Sequence, residues 1–213
     1  MFSQTTIMIA LALSVGFIHT ITGPDHYLPF IAMSKARRWS LSKTMLITTL
    51  CGIGHILSSV ILGVGGIAFG VAVGKLQIFE AVRGSFVAWG LFGFGLAYTL
   101  WGLRQAMKNK ENVDYTNSKK DMAFWVLFLI FVFGPCEPLI PVLMYPAATG
   151  SWFDVFVVTA VFGLTTIGTM LGIVFAAVYG TSFIKESALN RWGHALAGVA
   201  VTLSGAAIVF LGL

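Results

Sequence analysis

From Met122 to Phe133 the chain reads Met-Ala-Phe-Trp-Val-Leu-Phe-Leu-Ile-Phe-Val-Phe, without one charged residue. Water cannot solvate such a run, and five further stretches are of the same apolar kind. A chain carrying six of them has to fold in a nonaqueous solvent. Composition agrees: of 213 residues, 13 are Lys or Arg and 8 are Asp or Glu, 10% charged against 57% hydrophobic. Soluble domains hold about a quarter of their residues charged. That balance excludes a disordered chain, a nucleic-acid-binding surface and a secreted disulfide scaffold. An all-α, polytopic membrane protein remains.

The apolar stretches predict six transmembrane helices over about 5–33, 45–73, 84–106, 122–147, 152–180 and 191–213, each near or above the ~20 residues a span needs. The first is read as a retained helix, because Met1–Phe17 has no basic n-region. A β-barrel would alternate polar and apolar residues, which the run to Phe133 does not. Basic residues are unevenly placed. Lys35, Arg37, Arg38, Lys43, Arg104, Lys108, Lys110, Lys119, Lys120, Lys185 and Arg191 fall near loops 1–2, 3–4 and 5–6, against Lys75 and Arg83 on the other side. By the positive-inside rule both termini face outward, in a bacterial inner membrane. Residues 108–121 are the one long polar stretch, and they read as a cytoplasmic linker between three-helix units at 1–107 and 122–213.

All six prolines lie in two short segments. Gly23-Pro24-Asp25-His26-Tyr27-Leu28-Pro29 aligns with Gly134-Pro135-Cys136-Glu137-Pro138-Leu139-Ile140-Pro141 at an offset of 111 residues. The same offset carries Gly52-Ile53-Gly54-His55 onto Gly163-Leu164-Thr165-Thr166. Three helices per unit is an odd number, so the units are expected as 3+3 inverted repeats, with helices 1 and 4 broken at their Gly-Pro motifs. Paired broken helices point to the binding site of a transporter. Proline kinks without function are the bland alternative.

Ionisable side chains inside a span cost roughly 2.5–3.5 kcal/mol each on insertion scales. Helix 1 carries His19, Asp25 and His26; helix 2 carries His55; helix 4 carries Cys136 and Glu137. His19 and His26 would stand roughly 10 Å apart along an unbroken helix. A turn unwound at Gly23-Pro24 lets them approach, since proline lacks a donor and glycine is conformationally free. Imidazole, carboxylate and thiolate together describe a borderline divalent metal site. His19, Asp25, His26, His55, Cys136 and Glu137 are therefore the expected ligands. Packing roles compete for His55 and Cys136, and helix capping for Asp25 and His26. The free N–H groups of two half-helices would also suit a small oxyanion, although Asp25 and Glu137 oppose one. Cys51 and Cys136 are the only cysteines, so a thiol relay has one pair to draw on. The remaining glycines, among them Gly90, Gly93 and Gly95, suit close helix packing.

The stretch Gly16-Phe17-Ile18-His19-Thr20-Ile21-Thr22-Gly23-Pro24-Asp25-His26, with Gly52-Ile53-Gly54-His55, resembles the nickel/cobalt transporter superfamily. It looks closest to the urease-accessory (UreH-like) branch, grouped with sulfite-exporter-like proteins. That resemblance implies metal binding by His19, Asp25, His26 and His55, although five residues separate His19 from Asp25 where the permeases have four. Gly134-Pro135-Cys136 with Pro138 and Pro141 resembles a distant clan of membrane thiol-disulfide carriers, whose redox members have a cysteine in both halves where Asp25 stands here. The expectation is a secondary transporter of nickel or cobalt, with zinc a third cargo. A sulfite-like small-anion exporter and a thiol/redox membrane accessory protein are the alternatives. No enzyme activity, no tightly bound cofactor and no nucleic-acid partner are expected; the lipid bilayer and the metal ion are, and homo-oligomerisation is left open.

Overall fold

Helix α1, Gln4–Thr22, starts where the Ser3 hydroxyl accepts the Thr6 N–H and stops at Gly23-Pro24. The computed structural model describes residues 3–69, 73–107, 122–134, 136–181 and 189–212. After α1 a 3-10 turn covers Pro24–His26 and a short helix, α2, covers Leu28–Ala36. Then follow α3 (Leu41–Ala68), α4 (Val73–Met107), α5 (Met122–Phe133), α6 (Leu139–Ala148), α7 (Trp152–Gly180) and α8 (Leu189–Leu211). There is no strand among the described residues. The expected linker, 108–121, lies outside them, as does Lys185.

Among the described residues five helices, α1, α3, α4, α7 and α8, are long and apolar enough to cross a membrane. Where the sequence predicts a fourth span over 122–147, two short apolar helices stand instead, α5 and α6, separated at the second Gly-Pro segment. Helix α4 also begins earlier than expected, at Val73 and not near 84, which takes Lys75, Glu80 and Arg83 out of a loop and into a helix. Large apolar side chains such as Phe86, Phe153, Leu164 and Leu203 are exposed. On a soluble protein that would be an aggregating surface; here it is the face that meets lipid. This is an integral membrane protein with several spans.

The buried residues of α7, Val155, Val158, Phe162, Thr166, Met170, Val174 and Val178, recur every three or four positions, the stripe of a helix buried on one face. Small residues set the closest approaches, as expected where lipid offers no hydrophobic drive between helices. A Cβ on Gly95 would stand on the backbone N of Thr202, and one on Gly198 on that of Thr99. Gly102 meets Ala195 and Gly205 meets Phe92 in the same way. A single offset of 103 residues relates Gly95 to Gly198, Thr99 to Thr202, Gly102 to Gly205 and Phe92 to Ala195. Every contact between α4 and α8 in this set therefore has its mirror contact. Helices α3 and α7 repeat the pattern. A Cβ on Gly52 would lie 3.1 Å from Ile167, and one on Gly163 would lie 3.2 Å from Ile56. Both pairs run antiparallel. Gly90 and Gly93, by contrast, have open space where a Cβ would go.

Candidate functional site at two helix breaks

The first break is built by Gly23 and Pro24. The Gly23 N–H closes α1 by donating to the His19 carbonyl at 3.0 Å, and the His26 N–H returns to the Gly23 carbonyl at 3.1 Å. The turn is tight enough that a Cβ on Gly23 would lie 2.6 Å from His26 Nδ1, so only glycine fits. Its effect is to fold His26 back over His19, with ring centroids 4.6 Å apart and edge-to-face. From α3, His55 comes to 5.2 Å from the His26 ring. One ring nitrogen from each of His19, His26 and His55 lies within 4.8 Å of the other two. The unwinding expected from the sequence is what brings the two helix 1 histidines together.

The ring orientations follow from their other nitrogens. His26 Nδ1 faces two acceptors, the Gly23 carbonyl at 3.1 Å and Asp25 Oδ1 at 3.2 Å. It must be the donor to both, which in the neutral imidazole puts the lone pair on Nε2. His55 Nδ1 donates to the Phe131 carbonyl at 3.4 Å, with the same consequence. Nε2 of His19, of His26 and of His55 is buried with no partner. Buried polar atoms in a low-dielectric interior are normally satisfied, and three neighbouring exceptions make this a group that could hold a metal ion. Asp25 reaches this centre through His26 and not with its own carboxylate.

The second break is different. Between Phe133 and Leu139 the chain turns, and α3 and α4 bind the groups the turn sets free. Ser59 Oγ accepts the Cys136 N–H at 2.9 Å. Arg83 Nη2 lies 2.9 Å from Ser59 Oγ, 2.9 Å from Glu80 Oε2 and 3.1 Å from the Gly134 carbonyl. Glu80 is 1% exposed, an ion-paired carboxylate deep in the helix bundle. Cys136 is fully buried beside it, and Glu137, one residue on, is exposed. So the structure brings His19, His26 and His55 together, ties Asp25 to them, places Cys136 at the other break and leaves Glu137 outside. Ser59, Glu80 and Arg83 escaped the sequence reading. The signal for the last two was an ion pair at i and i+3 inside a helical pattern, hidden because the span was drawn to begin after them.

Both cysteines are free and buried. Cys51 and Ser59 are eight residues apart on α3, about 12 Å along the axis, and it is Ser59 that holds Cys136. Cysteines bridged by a disulfide need Cα atoms closer than about 7 Å. A Cys51–Cys136 bridge is out of reach in this conformation.

These features define a polytopic helical membrane protein with two side-by-side helix breaks, one rich in imidazole and one carrying a thiol. Residues 8–212 match the transmembrane region of the cytochrome c biogenesis proteins, and the chain belongs to that family. No curated protein and no solved structure gives a match. The match overturns the nickel/cobalt transporter resemblance. The Gly-Pro-Asp-His motif that carried it covers one turn of helix 1, at a spacing that already departs from the permease form. The family match covers nearly the whole chain, including the Gly134-Pro135-Cys136 segment that resembles the thiol-disulfide carriers.

Proposed function

We propose that this chain is a thiol/redox accessory protein of the membrane, working in cytochrome c maturation. The observation that carries this reading is Cys136, a fully buried thiol at the start of the α5–α6 break, in a chain whose family is defined by that task. In this reading the Cys136 thiolate attacks a partner disulfide. One S–S bond breaks and one forms, and the displaced partner thiolate takes up the proton that Cys136 released. Cys51 stands too far away to resolve the mixed disulfide, so a dithiol of a second, reducing partner resolves it: that dithiol becomes the disulfide, and Cys136 and the first partner are released as thiols. The reciprocal glycine contacts support an inverted-repeat arrangement of two three-helix units, and the loop charges support a bacterial inner membrane with both termini outside. Oxidised glutathione added to the solubilised full chain tests the thiol. Mass spectrometry is expected to find the adduct on Cys136 and not on Cys51. An adduct on Cys51 alone, or on neither, overturns the reading.

One observation favours a second reading, a bound transition metal. Three histidines with one ring nitrogen each within 4.8 Å of the others, and each with an unpartnered Nε2, suit a borderline ion such as zinc or copper at about 2.0–2.1 Å from each nitrogen. His19, His26 and His55 would hold it, and Asp25 would orient His26. Wild type is then expected to retain one ion per chain through purification, and His26→Ala none. Equal metal content in the two proteins defeats it.

A further inference from the structure

Hydroxyls inside these helices nearly all satisfy themselves on the preceding turn. Thr20, Thr48, Thr165, Thr169 and Thr202 each donate to the carbonyl four residues back, at 2.7–2.9 Å. Thr166 does not. It is 0% exposed and its Oγ1 has no partner. An unsatisfied hydroxyl in an apolar surrounding is costly, all the more in a bundle immersed in hydrocarbon. Threonine had the usual remedy available one rotamer away and does not use it.

Its position gives the reason. Thr166 is the counterpart of His55 at the offset of 111 residues. Each immediately precedes an isoleucine, Ile56 or Ile167, that packs on a glycine of the opposite helix in the mirrored α3–α7 contact. His55 and Thr166 thus flank one seam from its two sides. His55 turns to the second break, within 3.4 Å of the Cβ position of Gly134. Thr166 turns to α1, where its Oγ1 lies 3.3 Å from the Cβ position of Gly16. His19, three positions later, and the buried Thr20, four later, come next along that side of α1. The second unit therefore brings one unpartnered oxygen against α1 at Gly16, one turn before His19.

We propose that Thr166 Oγ1 is the fourth donor of the three-histidine centre, an oxygen contributed by α7 that completes a three-nitrogen, one-oxygen metal site. This rests on the metal reading above. A neutral oxygen in the fourth place favours divalent ions that take four ligands over cuprous ion, which is content with two or three nitrogens.

Cobalt(II) is a suitable probe, because its visible absorption reports coordination number, and the protein is the full chain in detergent micelles. Wild type is expected to show the intense visible band of a four-coordinate ion. Thr166→Val should still bind cobalt, about tenfold more weakly, with a weakened and displaced band, and its affinity for cuprous ion should stay unchanged. Thr166→Ser, which keeps the oxygen, should restore the wild-type band and serves also as the control should the valine variant fail to fold. An unaltered band and affinity in Thr166→Val overturn the proposal while the metal reading stands. A wild type that binds no cobalt, zinc or copper overturns both.

Discussion

The two helix breaks share a backbone plan and divide the chemistry between them. At the first, Gly23 and Pro24 unwind a turn and the imidazoles crowd in with their Nε2 atoms unpartnered. At the second, Ser59 and the Glu80–Arg83 pair bind the Cys136 N–H and the Gly134 carbonyl. The first break leaves three imidazole nitrogens without partners, whereas the second is tied to α3 and α4, with Glu80 Oε1 and Arg83 Nε left over. The glycine contacts between α4 and α8 recur at one constant offset, while the two breaks carry different side chains.

That contrast makes substitutions at the second break costly to stability and those at the first costly to binding. The largest effect is expected from Glu80→Leu, which strands the Arg83 charge in the bundle. Removing one partner of a buried pair costs about 3–5 kcal/mol, seen as a lower thermal midpoint in detergent. Glu80→Leu with Arg83→Leu should recover most of the loss; no recovery would mean that the pair anchors nothing. Next come Gly95→Ala and Gly198→Ala, each forcing a methyl onto a backbone nitrogen of the opposite helix at about 1–3 kcal/mol. Mirror-related contacts call for similar losses in the two variants, and a large inequality would break the equivalence of the halves. Ser59→Ala leaves the Cys136 N–H without its acceptor, at about 1–3 kcal/mol. Smallest is Asp25→Asn, for which less than about 1 kcal/mol is expected, since a surviving side-chain oxygen can still accept from His26. A stability loss there as large as that of Ser59→Ala would show that the first break too is an anchor.

Much of this was legible in the sequence. The position of each break followed from proline and glycine, and the meeting of His19 with His26 followed from the need to unwind a turn between them. His55 was found by its place beside the repeat. Other parts were hidden for physical reasons. A break divides a span into pieces too short to count as spans, so 122–147, counted as one span broken at its Gly-Pro motif, folds as two short helices, α5 and α6. Drawing a span by hydropathy stops at the first charges, so the paired Glu80 and Arg83 were left in a loop although each neutralises the other inside the helix. Glu137 was grouped with Cys136 by adjacency, but consecutive residues in a turn point different ways, and it is exposed. The short Gly-Pro-Asp-His motif also misdirected the family reading, because a few residues of ligand chemistry recur on many frameworks while a match across 8–212 does not.

The α4–α8 seam joins Gly95 to Thr202 and Gly102 to Ala195, partners about a hundred residues apart in order of synthesis. A ribosome adding roughly 5–20 residues per second leaves α4 in the bilayer for many seconds before α8 is made. During that interval its glycine groove has no partner from its own chain. Another nascent copy, or an insertion chaperone, is then the nearest thing that can cover it. A helix translated about a hundred residues later is the one that covers α4.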